Sequence, residues 1–263
     1  MKKILTIVLA MMMLLSCVAC SNTNSNDTMD STELLPGSKY PLPSELPMEM
    51  RPLQADDKAS DKKPFENDDP RKKYLEEKYG LTAYLVEERT ESRITTLFTL
   101  EGYEKTFHLY TKEDLIDSGV SAEDISGDYI DNAYFTVAYS EIYEYFNQAI
   151  EASGVAVDRL IIKERVRYYA TSIYDLNKSF AECLASTDNK SYKRFEIRLY
   201  GDFGSSDDAY GKLFMELQKL DFVGTVSFYN TLQDISGLTN DDLMNYTTSK
   251  DYVVSSYPMQ QIK

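Results

Sequence analysis

Seven of the eight prolines in this 263-residue chain lie between Pro36 and Pro70, and that crowding sets where a folded body can start. Proline fixes φ, donates no backbone hydrogen bond and biases the preceding residue away from helix. Such a stretch sustains neither a helix nor a central strand. Just ahead of it, residues 21–31 are mostly Ser, Asn, Thr and Asp. Residues 21–68 therefore read as a disordered, Pro/Ser/Asn-rich tether, stiffer where proline is dense. Leu42, Leu46, Met48 and Leu53 are among its apolar side chains, and some of them are able to pack back on the folded body. About 195 residues remain beyond it, enough for one or two domains.

Ahead of the tether, Lys2 and Lys3 precede an apolar run, Ile4 to Leu15, and a patch of small residues ending in cysteine. That layout is a secretory signal. The 17 residues from Ile4 to Cys20 fall short of the roughly 20 that a spanning helix needs. In place of a small-x-small cleavage pattern stand Leu14-Leu15-Ser16-Cys17 and Cys17-Val18-Ala19-Cys20. These resemble the lipobox of bacterial lipoproteins, and the resemblance covers residues 1–20 only. It implies that the leader is removed and that Cys17 or Cys20 carries a diacylglycerol. It also implies that the protein is held at the outer face of the bacterial cell membrane. Leu14 favours Cys17, whereas Ala19 and the polar chain after it favour Cys20. Each buried methylene contributes about 0.8 kcal/mol, so two or more acyl chains hold without help from protein charge.

The chain has 28 basic and 43 acidic side chains, a net charge of −15. Removing the leader takes away two lysines and no acid, leaving 26 against 43, or −17. That field repels nucleic acid, anionic headgroups and phosphate-rich wall polymers, and favours cationic partners. Cys183 is the only cysteine beyond the leader, so no disulfide staples the body. Tyrosine outnumbers phenylalanine 21 to 11, with no tryptophan. This suits half-buried edges, with stacking on a sugar ring as the lesser alternative.

The expected fold class is α+β. An antiparallel meander with helices fills residues 69–157. A small β-α-β-α-β unit, its helices covering one sheet face, fills 158–263, either continuous with the first half or separate from it. Asp69-Pro70 caps a helix that Gly80 stops. Strands follow at 81–87, 94–100 and 103–110, with Glu101-Gly102 as a hairpin signal. Thr111 with Asp114, Ser121 with Asp124 and Thr239 with Asp242 resemble capping boxes. Helices are predicted over 131–152, 172–185 and 207–220, and strands over 159–169, 194–200 and 224–232. Helices between strands suggest two crossovers and a mostly parallel sheet. Each strand alternates apolar with polar, so one face stays open or meets another layer.

The sharpest polar feature is a basic stripe. Lys163, Arg165 and Arg167 alternate on one strand and share a face, and Arg198 lies on the next. Together they form a candidate binding patch for a carboxylate or an acidic partner. The competing reading is a cross-strand salt-bridge lattice. His108 is the only histidine and supports neither a multi-histidine metal site nor, without a Gly-x-Ser-x-Gly elbow, a hydrolase triad. Cys183 sits among apolar neighbours near a helix end, where packing explains it better than reactivity. Asp202, Asp207 and Asp208 around Gly201-x-x-Gly204, and Asp234 with Asp241 and Asp242, lack the ligand spacing of a calcium loop. No cofactor or metal is implied.

These features favour a membrane-anchored extracytoplasmic lipoprotein carrying a non-catalytic binding or scaffolding module. Its partners would be the membrane, through the lipid, and an envelope protein or small ligand, not nucleic acid. A solute-binding lipoprotein feeding a transporter is the main alternative. A cell-wall hydrolase is a further one, and needs two carboxylates about 5–10 Å apart in a groove.

Overall fold

The computed structural model describes residues 38–53, 61–89, 95–125, 127–166, 171, 173–204, 207–231, 233–245 and 252–262. The leader with Cys17 and Cys20, and Arg167 of the basic stripe, lie outside them. Leu35–Lys263 forms one compact unit, and its fold is α+β.

Five strands make the first sheet, antiparallel throughout: β1 (Lys63–Pro64), β2 (Ala83–Arg89), β3 (Thr95–Leu100), β4 (Phe107–Thr111) and β5 (Tyr129–Asp131). The expected meander is its centre. The third strand starts later than the alternation predicts. After the turn at Glu101-Gly102, the buried Thr99 hydroxyl donates to the carbonyls of Tyr103 (3.2 Å) and Lys105 (2.8 Å) and holds that stretch as a loop. Helix α1 (Pro70–Tyr79) begins where Asp69 accepts from the Arg71 N–H and ends at left-handed Gly80, as the sequence predicts. Short α2 (Lys112–Asp117) has its Thr111/Asp114 capping box. Ser121 opens only a single 3-10 turn, without a side-chain cap.

The helix expected over 131–152 is divided at Ala138 into α3 (Tyr134–Val137) and α4 (Tyr139–Ser153). Asp131 lies just before them, and its side chain is completely buried. It accepts from Lys78 Nζ (2.6 Å), the Tyr74 hydroxyl (2.9 Å), the Tyr79 hydroxyl (2.5 Å) and the Ala133 N–H (2.8 Å). Its backbone carbonyl takes the Thr171 hydroxyl at 2.6 Å. Burial alone would raise the Asp131 carboxyl. The Lys78 ammonium, with the Tyr79 and Ala133 donors, outweighs it and holds the group below the usual carboxylate range.

The second sheet has the order β6-β7-β8-β9: β6 (Arg159–Glu164), β7 (Arg194–Gly201), β8 (Val223–Thr231) and β9 (Val253–Ile262). The expectation of a mostly parallel sheet is corrected here. Only β7 and β8 run parallel, and β6 and β9 are antiparallel to their neighbours. The reason lies between β6 and β7. An Asx turn at Asp175 and the capping box of Ser179 with Glu182 delay the helix, so α5 covers only Phe180–Ala185. Six residues rise about 9 Å, too little to carry the chain back along a strand. The excursion instead leaves and re-enters at one end of the sheet, where the Arg165 N–H donates to the Arg194 carbonyl at 2.7 Å. The 11-residue α6 (Asp207–Leu217) makes the one true crossover.

Both helices cover one face, as expected. Phe195, Ile197, Leu199, Val226 and Phe228 share a single core with Phe180, Leu184, Leu213 and Leu217. That core also takes in Phe98 and Phe107 of the first sheet and Phe146 of α4, so the two halves are joined.

The tether is corrected in its second part: residues 38–53 form an arm lying on the body, and residues 61–68 bring β1 into the first sheet with Phe65 buried. Lys39 Nζ donates to the Leu176 carbonyl (2.9 Å), and the buried Tyr40 bonds Glu141 of α4 through its hydroxyl. The Asn240 amide donates to the carbonyls of Glu49 (3.2 Å) and Arg51 (2.8 Å). Proline limits the arm to two 3-10 turns, Pro43–Glu45 and Met48–Met50, which satisfy part of its backbone locally, and the Asn240 amide takes two of the remaining carbonyls.

Asp131→Asn should cost about 3 kcal/mol or more, because it leaves the part-buried Lys78 cation uncompensated. For a body of this size that is a fall of roughly 6–12 °C in Tm. A carboxyl with a depressed folded pKa stabilises above its unfolded value, near 3.9, and ceases to as pH falls through the folded one. The gap between wild type and variant in thermal melts should therefore hold above about pH 4 and close below it. Gly224 has φ +154°, and an added Cβ would sit 1.8 Å from the Phe195 carbonyl oxygen. Gly224→Ala should cost about 3 kcal/mol or more through overpacking and strain, read by denaturant midpoint.

Candidate functional site

The sheet face turned away from the helices is divided in two. Its upper half is covered. Ile161 and Tyr200 pack against Ile235 and Leu243 of the segment after β8, with Leu53 of the arm alongside. Arg159, 3% exposed, fastens that cover. Its guanidinium donates to the Leu238 carbonyl (2.9 Å), the Ile235 carbonyl (3.3 Å) and Asn240 Oδ1 (3.0 Å). Helix α7 (Asn240–Met244), capped by Thr239 and Asp242 as the sequence predicts, completes the layer.

The lower half is an open trough among the described residues. Register places Lys163 opposite Glu196, and Glu196 opposite Thr225. Arg198 stands opposite Ser227, and Gln261 continues the row beyond Thr225. Directly opposed residues share a face. Glu196 is the pivot, its side chain only 12% exposed. One carboxylate oxygen takes Arg198 at 2.7 Å, and the other takes Arg165 through Nε (3.0 Å) and a terminal nitrogen. Burial would raise the Glu196 carboxyl, but the two guanidiniums outweigh it and hold it low. Arg198 also lies 5.7 Å over the Tyr229 ring, which stacks on Tyr200 at 4.7 Å.

Three of the four predicted patch residues thus come together: Lys163, Arg165 and Arg198. Arg167 lies outside the described residues. The salt-bridge lattice weighed against the patch is also present, with Glu196 as its acid. It neutralises only part of the charge. Arg165, Arg194 and Arg198 line the trough with one carboxylate, Lys163 stands opposite that carboxylate by register, and Arg194 forms no ion pair among the described residues. Each guanidinium gives Glu196 its Nε and one terminal nitrogen, so the carboxylate fixes both guanidinium planes.

The other candidates fall elsewhere. His108 is half-buried on β4 and stacks on Tyr110. Cys183 is wholly buried, bonded weakly to the Asp175 carbonyl, and burial raises its thiol. Asp202 closes the turn at left-handed Gly204, and Asp242 serves as a cap. Among the described residues no three His, Cys, Asp or Glu side chains converge as a metal-binding group. Sequence reasoning missed Arg159 and Gln261. Arg159 opens an apolar strand, and only the presence of a polar residue amid that run signals its buried partners.

No family model, no curated protein and no solved structure matches the chain.

The two kinds of arginine should separate in stability measurements. Arg165 is 54% exposed, and such an ion pair is worth about 0–1 kcal/mol, so Arg165→Ala should barely move Tm. Arg159→Met strands buried carbonyls and should cost about 3 kcal/mol, with hydrogen exchange rising over 233–245 and leaving β7 protected.

Proposed function

We propose that this chain is a lipid-anchored, extracytoplasmic binding protein, non-catalytic, whose trough on the second sheet captures an acidic polypeptide. The single observation that carries the reading is the Arg165–Glu196–Arg198 lattice on an uncovered face. A molecule with net charge −15 keeps four cations on one surface and positions two of them with a half-buried carboxylate. Charge of opposite sign to the surroundings steers an anionic partner to that surface and orients it there. The anchor rests on the resemblance of residues 1–20 to a lipobox. An open sheet face accepts an extended partner along its strands more readily than a small solute, because it offers no enclosing walls.

Two experiments test the two parts separately. Metabolic labelling with palmitate should mark the protein, and Cys17→Ser with Cys20→Ser should abolish the label; an unlabelled wild type overturns the anchor. Titration with a hexaglutamate peptide should show binding that weakens as salt rises. The Lys163→Ser, Arg165→Ser, Arg198→Ser variant should bind at least about tenfold more weakly, a loss of 1.4 kcal/mol. Equal affinity in the variant removes the trough from consideration.

A further inference from the structure

A separate cavity lies against the arm. Between the arm and the turn after β3 it measures about 230 Å³. That is room for roughly eight water-sized groups of about 30 Å³ each. Arg51 and Leu53 form its arm side, and Tyr103, Glu104, Lys105 and Thr136 its body side. We propose that this cavity binds a compact carboxylate of about the size of a four-carbon acid.

Three donors carry it. Tyr103 is 4% exposed, and its hydroxyl is fully buried without a hydrogen-bond partner. Buried polar groups are normally satisfied, so an orphan hydroxyl beside a cavity points to a missing acceptor. Arg51 spends its Nε on the Leu46 carbonyl at 3.0 Å, which fixes the guanidinium plane. Its two terminal nitrogens make no hydrogen bond among the described residues, and a planar fork of that kind fits a carboxylate. Lys105 is held by Thr136 Oγ1 at 3.2 Å and lies 5.9 Å over the Phe107 ring, leaving further ammonium donors.

The site is built rather than incidental. The buried Thr99 hydroxyl grips the carbonyls on either side of Glu104. Gly102, at φ +81°, lets Leu42 of the arm sit where a Cβ would be, at 2.8 Å. Arm and turn therefore hold a fixed spacing. Arg51 and Lys105 line the cavity with one carboxylate, Glu104, and the Glu45 carboxylate acts on Tyr103 from nearby, so selection for an anion comes from the three converging donors rather than from net charge.

The probe is succinate, titrated calorimetrically into the full-length protein, with its uncharged diamide as control. Succinate should bind with Kd near or below about 1 mM, and the diamide should not. Arg51→Gln and Lys105→Met should each raise Kd about tenfold. Tyr103→Phe, which keeps the packing, should raise it severalfold with no loss of Tm. Glu104→Gln should lower it, because one repelling charge is gone. The Lys163→Ser, Arg165→Ser, Arg198→Ser variant should bind succinate unchanged, so this site and the trough stand or fall apart. No heat with succinate, equal binding of the diamide, or an unaltered Kd in both cation variants overturns the proposal.

Discussion

The buried carboxylate of Asp131 fixes the relation of parts that are far apart in the chain. It gathers two tyrosines and a lysine from α1 and an N–H from the start of α3, while its carbonyl holds Thr171. An unpaired charge in that position is not tolerable, so every donor must arrive together. That requirement orients α1 against β5 and sets where α3 begins. Helix α4 follows directly, and its Phe146 touches Phe180, Phe195 and Phe222. The aromatic core that joins the two sheets is therefore aligned by a polar contact at its edge. With no disulfide available to the body, such a contact takes the place that cross-links fill elsewhere.

The second sheet uses arginine in two opposite ways on one face. At the covered end Arg159 faces carbonyl oxygens and an amide, neutral acceptors that keep a cation buried without a counter-charge at contact distance. At the open end Arg165 and Arg198 share one carboxylate and stay partly wet. The difference is set by what lies above the strand. The segment 233–245 covers the first, and no described residue covers the second. The same strand, alternating as a half-exposed strand should, thus serves as both floor of a core and floor of a trough.

Local chemistry was legible in the sequence, and long-range partnership was not. The Asp69-Pro70 start, the Gly80 stop and the capping boxes at Thr111 and Thr239 all appear where their residue types demand, because each is satisfied within a few positions. The alternation of Phe195, Ile197 and Leu199 gave the buried face of β7, and the polar set gave the trough. Strand direction was misread because it depends on how far the 165–193 excursion travels, and that turned on an Asx turn at Asp175 outranking helical periodicity. The arm was underestimated for a related reason. Proline reports what a segment cannot form with itself, and is silent about Glu141 or Asn240 a hundred or more residues away. Asp131 was hidden altogether, since nothing near it announces Lys78 or Tyr79 as its partners.

The docking of the arm determines how the body would respond to a mechanical load. A pull on the chain ahead of Ser38 reaches Lys39 and Tyr40 first, and passes through them to the Leu176 carbonyl and to Glu141. Tension would thus enter at helix α4 and its neighbour, and only later, through Asn240, the cover of the second sheet. No strand lies first in line, so both sheets are spared the unzipping that tugging on an edge strand produces. The arm behaves as a strain relief for the fold behind it.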